Sequence, residues 1–155
     1  MSKLQWESGY YGKDKAGAIR ARKEIYPGIV TPSDLYDALA GLWCADTCAP
    51  RMRAEWTPEN RTLGQCSITA FLAQDIFGGE VRGMTTDNGS IHCYNVVNGV
   101  AFDLTSEQFG EKAKDLVYGD DPVQDRESPY HFGKAEKRQR YEFLKNALGE
   151  KQGKS

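Results

Sequence analysis

The dipeptide Asn98-Gly99 lies between two apolar-rich runs, Ile91 to Val97 and Val100 to Leu104, and it constrains the fold more than any other feature of the chain. Both residues tolerate positive φ. The pair therefore favours a two-residue turn whose twist matches that of antiparallel strands. Such a turn also fixes register: Val97 faces Val100, Val96 faces Ala101, Asn95 faces Phe102, Tyr94 faces Asp103 and His92 faces Thr105. Side chains alternate across a strand, so Ile91, Cys93, Asn95, Val97, Val100, Phe102 and Leu104 share one mostly apolar face. The other face carries His92, Tyr94, Val96, Ala101, Asp103 and Thr105. His92 and Asp103 become diagonal neighbours, with backbones about 5.5–8 Å apart, within reach of an imidazole–carboxylate hydrogen bond. A one-residue slip would separate them. Parity alone brings such a pair onto one face half the time, so its meaning depends on a third residue.

That third residue is Cys66. It follows a breaker-rich stretch, Thr57 to Gln65, and opens the apolar segment Ser67 to Ala73. A thiol at a helix start feels the positive end of the helix dipole, which favours the nucleophilic thiolate. Taken alone, a cysteine beside an apolar run is more often a small buried hydrophobe. With His92 and Asp103 added, the order resembles that of papain-like or transglutaminase-like cysteine enzymes. Cys66 would attack a carbonyl carbon to give a thioester, His92 would move the proton, and Asp103 would orient the ring. The Cys66 backbone N–H is the natural first oxyanion donor, with the Asn60 and Gln65 amides as side-chain candidates. Trp56 and Tyr94 would add stacking and hydrogen-bonding surface to the pocket. Asn and Gln in such loops more often make local turn bonds, and a Trp there is more often core.

The remaining elements follow from punctuation. Lys13 to Glu24 reads as a short basic helix, ended by Tyr26-Pro27-Gly28. Thr31-Pro32-Ser33-Asp34 starts a second helix carrying Leu35, Leu39 and Leu42 to Trp43, with Pro50 as its stop. Arg51 to Gly64 is an ordered loop anchored by Trp56. The Cys66 helix runs to about Phe77 and ends at Gly78-Gly79. Glu80 to Thr85 is a third strand. Thr105-Ser106-Glu107-Gln108 offers a capping box, and residues 110 to 133 are irregular. Lys134 to Leu148 forms a last helix with Tyr141, Leu144 and Leu148 on one stripe. The expected class is α+β: a papain-like core with the nucleophile helix on a small antiparallel sheet and flanking helices. Residues 1–30 form an N-terminal extension, 31–149 a single domain, and 150–155 a flexible tail.

The combined residues also resemble a bacterial family, the YunG-like proteins. The similarity rests on Trp56-Thr57-Pro58-Glu59-Asn60, Gly64-Gln65-Cys66, Asp75 with Phe77-Gly78-Gly79-Glu80, His92-Cys93-Tyr94-Asn95, Phe102-Asp103-Leu104-Thr105 and Gln108-Phe109. Arg126 and Arg140-Tyr141 extend it. It covers about Asp34 to Leu148, and this chain has Cys93-Tyr94 where the family tends to have two aromatics. The resemblance implies the papain-like α+β fold with Cys66, His92 and Asp103 at the site, and it supplies no substrate.

Composition narrows the alternatives. Formal net charge is −2, which gives no basic footprint for nucleic acid. The first eight residues lack an apolar signal region, and no run approaches membrane-spanning length. Four cysteines without a secretion signal read as reduced thiols in the cytoplasm. Cys44 and Cys48 would share a helical face at i, i+4, yet they lack a matching Cys or His pair for zinc, so no metal or other cofactor is expected. His131 reads as a loop histidine with local contacts, although it is the alternative base. The Lys134 to Arg140 run reads as a solvated helix face. The leading expectation is a cysteine-dependent amide or acyl hydrolase or acyltransferase, acting on a small peptide, an amide or a protein side chain. The alternative is a catalytically inactive papain-like fold that serves as a binding module. Oligomeric state is not legible.

Overall fold

The computed structural model describes residues 9–152. Four helices are α1 (Lys13–Ala16), α2 (Pro32–Ala40), α3 (Cys66–Phe77) and α4 (Ala135–Lys151), and three strands are β1 (Glu80–Thr85), β2 (Ile91–Val97) and β3 (Val100–Phe102). The sheet is antiparallel in the order β1-β2-β3. Asn98 and Gly99 both have positive φ, 54° and 78°, as a type I′ turn requires. The register is Val97 with Val100, Val96 with Ala101 and Asn95 with Phe102, as the hairpin argument expects.

One face of β2 packs on α3. The Asn95 side chain, buried there, donates to the Ala70 carbonyl at 2.9 Å, and Cys93, Val97 and Phe102 join the same core as Ile68, Phe71 and Leu72. From α4, Tyr141, Leu144 and Leu148 close the core from the other side. Arg126 ties these layers. It meets Asp75 at 2.8 Å and the Phe71 carbonyl at 3.1 Å, and it lies over the rings of Phe132 and Tyr141. The Tyr141 hydroxyl donates to Asp75. Asp75, Arg126 and Tyr141 are thus framework, remote in role from the chemistry.

Several elements depart from the sequence reading. The basic helix stops at Ala16 rather than Glu24, because Ala21 and Arg22 spend their N–H groups on Val30 and Ile76 carbonyls. The second helix begins with the expected Thr31 cap, reciprocated by Asp34, but ends at Ala40 with Gly41 rather than at Trp43. Cys44 and Cys48 therefore flank a 3-10 turn, Ala45–Thr47, instead of sharing a helical face. Cys48 is the fully buried one of the two and Cys44 the half-buried one. The loop from Arg51 to Gly64 holds two more 3-10 turns. Strand β3 ends at Phe102, since Asp103 bridges to Tyr11. Thr105 makes no helix cap, its side chain being drawn to Asp103. Helix α4 runs through Glu150 and Lys151, so the start of the expected tail is helical. The expectations for residues 1–8 and 153–155 lie outside the described residues. No described helix is long and apolar enough to cross a membrane.

Candidate active site

The early part of β2 has no partner on the β3 side, because β3 has already ended at the Asn95–Phe102 pair. In an antiparallel ladder, Cys93 points its N–H to that same open side. Helix α3 delivers Cys66 there. Its position depends on Gly64, whose φ of 72° lets the chain pass Cys48: a Cβ at Gly64 would stand 2.5 Å from the Cys48 sulfur. An L side chain is strained in that conformation even without the clash. Gln65 then caps α3 without a side-chain bond to the helix, leaving the first-turn N–H groups uncapped by it. This is the physical content of Gly64-Gln65-Cys66.

The three sequence-predicted catalytic side chains meet. His92 Nε2 and Asp103 Oδ2 are 2.6 Å apart, and both residues are buried. With Nε2 committed to Asp103, Nδ1 is left for Cys66, whose charged form is favoured by the imidazole and by the thiol and backbone N–H of Cys93. Burial opposes charge on His92, but the Asp103 carboxylate and the contact with Cys66 outweigh it, and the imidazole pKa is pushed up to about 10. The Cys93 hydrogen bond comes first among the forces on Cys66; with the imidazole it overcomes burial and holds the thiol well below its ordinary range. Cys93 is raised, chiefly because it donates to Cys66 and because it is buried. The electrostatics thus favour a Cys66 thiolate beside a His92 imidazolium, with Cys93 keeping its proton.

Asp103 is held from four directions. Its Oδ1 accepts from the Thr105 N–H at 3.1 Å and the Thr105 hydroxyl at 3.3 Å. Its Oδ2 accepts from His92 and, at 2.6 Å, from the Tyr118 hydroxyl. Tyr118 stacks on Tyr11 at 3.9 Å between ring centroids and meets the Tyr94 ring edge-on. Burial first, then the neighbouring carboxylate, pushes the Tyr118 phenol far up, so it stays a neutral donor. Phe109 abuts the His92 ring edge-to-face at 4.7 Å. Sequence reasoning missed Tyr118 and gave Phe109 no role. Phe109 stands directly after the capping-box motif, whereas Tyr118 lies in an irregular stretch without periodic signal.

Hydrogen bonds to charged groups contribute about 1.5–3 kcal/mol. Tyr118→Phe is expected to lose about that much stability while keeping the fold, read as a lower urea midpoint with an unchanged slope. An unchanged midpoint would mean that Tyr118 does not support Asp103.

The four expected pocket residues do not line the cleft that holds Cys66 and His92, a cavity of about 410 Å³. Trp56 is half-buried and donates its indole N–H to the Arg61 carbonyl at 2.9 Å, a clip within its own loop. Asn60 ends a 3-10 turn capped by Thr57. Gln65 is fully buried and donates to the Cys44 carbonyl at 3.1 Å, which takes its amide nitrogen away from oxyanion duty. The Tyr94 hydroxyl donates to Asp121 at 2.6 Å, behind Tyr118. Instead the cleft is lined by Met52, Phe109 and Tyr130, together with Asn88, Ser90 and the basic residues Lys137 and Arg140 of α4. His131 also lines it, but is neutral: burial and the Lys137 charge lower its pKa to about 4. Its Nδ1 accepts from Lys137 at 3.2 Å, so Nε2 donates to Gln124 at 2.8 Å.

A family model described as YunG protein matches residues 31–153. "Uncharacterized protein YunG" of Bacillus subtilis (strain 168) is 48% identical over 56 residues, which is 36% of this chain and 48% of that protein. The matched segment thus spans about half the length of this curated relative. No solved structure matches.

Proposed function

The chain belongs to the YunG family, and from the site built above we propose that it is a cysteine-dependent amide or acyl hydrolase or acyltransferase with a papain-like, transglutaminase-like core. The observation that carries this reading is the buried His92–Asp103 pair at 2.6 Å, with the Cys66 thiol against the same imidazole at the start of α3. In the reaction, the Cys66 thiolate attacks the carbonyl carbon and forms a C–S bond. The oxyanion that develops is met by the Cys66 N–H at the helix start. The His92 imidazolium gives its proton to the departing amine as the C–N bond breaks, leaving a thioester. Water, losing a proton to His92, then attacks the thioester and releases the thiolate. An acceptor amine in place of water gives transfer. Asp103 holds the ring and stabilises its charged form throughout. Free thiols at all four cysteines support a reducing, cytoplasmic setting, and small peptides or side-chain amides are the proposed substrates.

A parallel screen of amide, ester and isopeptide substrates with wild type and Cys66→Ala checks this. Turnover is expected from the wild type alone, because Cys66 is the one thiol among the residues lining the cleft and the thioester needs it. Turnover surviving in Cys66→Ala would refute the assignment, and silence from both would favour an inactive fold that binds.

A further inference from the structure

Lys137 sits in the wall of the Cys66 cleft and is only 8% exposed. A buried ammonium ordinarily has an anion beside it. Lys137 pairs with no carboxylate among the described residues: its Nζ donates to the Tyr130 carbonyl at 3.1 Å and to His131 Nδ1 at 3.2 Å, both neutral, and lies over the Tyr130 ring at 4.6 Å. An ammonium has three donors, so one remains. The other charges of the cleft strengthen the point. Glu136 is the one carboxylate among the lining residues, and Arg140 takes it at 2.9 Å while holding the Thr47 carbonyl with its other arm. The Cys66 thiolate is matched by the His92 imidazolium, and Asp103 is buried behind that ring. Lys134 and Arg51, both exposed and both lining the cleft, add positive charge with no acid opposite.

We propose that this basic wall, centred on Lys137 with Lys134 and Arg51, binds an anionic group, carboxylate or phosphate, carried by the substrate close to the bond that Cys66 attacks. The proposal rests on Cys66 as the nucleophile and names the substrate class for that site. Chemistry within the cycle favours it. Burial lowers the Lys137 pKa and the Cys66 charge works against it; acylation of the sulfur abolishes that negative charge. A substrate anion then supplies the counter-charge that the buried ammonium lacks. A neutral substrate would leave Lys137 without any through the thioester stage. Thr86, Asn88 and Ser90, which also line the cleft, carry no charge of their own, so they offer no competing anion.

Two alkylating agents of the same size test this without a known substrate. In each, the Cys66 thiolate displaces iodide, forming C–S as C–I breaks; iodoacetate carries a carboxylate and iodoacetamide a neutral amide. The rate ratio of iodoacetate to iodoacetamide at Cys66, followed by mass spectrometry and normalised to the ratio for a free cysteine peptide, is expected to exceed one by about tenfold. Lys137→Gln should bring the ratio close to one, and Lys137→Arg should keep most of it. Should Lys137→Gln fail to fold, the paired surface change Lys134→Gln with Arg51→Gln should still lower the ratio about threefold. Protection of Cys66 from iodoacetamide by acetate alone assigns the carboxylate, and stronger protection by inorganic phosphate assigns the phosphate. A normalised ratio of one in the wild type, or a ratio unmoved by Lys137→Gln, would overturn the proposal while leaving Cys66 a nucleophile. Failure of iodoacetamide to label Cys66 at all would overturn both.

Discussion

Replacing His92 by Ala is expected to remove the acid reactivity of Cys66 and to cost turnover on the order of a thousandfold. The turnover loss follows from the dual role of the ring as base and acid, which typically contributes 10²–10⁴-fold. The reactivity loss is subtler. An ordinary thiol, with a pKa of about 8.5, is only about 0.3% thiolate near pH 6. A thiolate held against imidazolium is mostly ionised there, but each unit of lowered pKa also weakens its intrinsic nucleophilicity, with a Brønsted slope of about 0.4–0.5. The two effects nearly cancel around neutrality. They leave a net advantage for the paired thiolate near pH 6, and it is there that His92→Ala should alkylate more slowly. Labelling of wild type and variant at both pH values checks this; equal rates near pH 6 would mean that His92 does not hold the thiolate. Cys48 and Cys93, both buried, should lag Cys66 in the wild type throughout.

The largest effect on stability is expected from Asp103→Asn, on the order of 3–5 kcal/mol, the usual consequence of removing one partner of a buried charge pair. Burial would then be opposed on His92 by Cys66 alone, and its pKa should fall from near 10. The sign of the pH dependence is cleanest in a Cys66→Ala background, where the thiol no longer titrates alongside the imidazole. His92 in the folded state has a pKa raised above its unfolded value of 6.5. Its stabilisation is therefore fully present below pH 6.5 and is lost as pH rises through the folded value, which falls when Cys66 is removed because Cys66 is one of the groups raising it. Urea melts across that range should show stability declining with pH in Cys66→Ala. The Cys66→Ala, Asp103→Asn double variant should be weaker at pH 6 and lack the decline. The same slope in both would show that Asp103 is not what charges His92. In the wild type, the lowered Cys66 pKa acts in the opposite sense, adding stability as pH rises toward the ordinary thiol value, so the two trends offset each other between about pH 6.5 and 9.

How much of this was legible depended on whether a residue's neighbours were fixed by local rules. The Asn98-Gly99 turn set the register, and register set the His92–Asp103 pairing; the apolar run after Gln65 set the start of α3 and so placed Cys66. Each step needed only spacing and turn chemistry. The pocket residues needed more. Trp56, Asn60 and Gln65 lie close to Cys66 in sequence, yet a loop of 3-10 turns can aim a side chain anywhere: Trp56 bonds the Arg61 carbonyl of its own loop, Gln65 reaches the Cys44 carbonyl, and Asn60 ends a turn capped by Thr57. Tyr94 shares a face with His92 as expected, but that face is covered by Tyr118, which arrives from a segment with no periodicity. Lys137 was hidden for a different reason. In α4 it belongs to a charged run that reads as solvated, and only the packing of Tyr130 and His131 over it makes it a buried charge. The basic segment after Ala16 failed as a helix because Ile19 and Tyr26 are buried as separate anchors, with intervening N–H groups drawn to distant carbonyls.

The central claim is that Cys66 rests as a thiolate paired with the His92 imidazolium, and the pH dependence of its alkylation by neutral iodoacetamide tests it most directly. The rate at Cys66, read by mass spectrometry on the intact wild-type protein, should already be near its plateau below neutral pH, with the titration midpoint well under that of a free thiol. A rate that climbs with a midpoint at about 8.5, as for any unperturbed cysteine, would contradict the account and leave Cys66 a structural thiol.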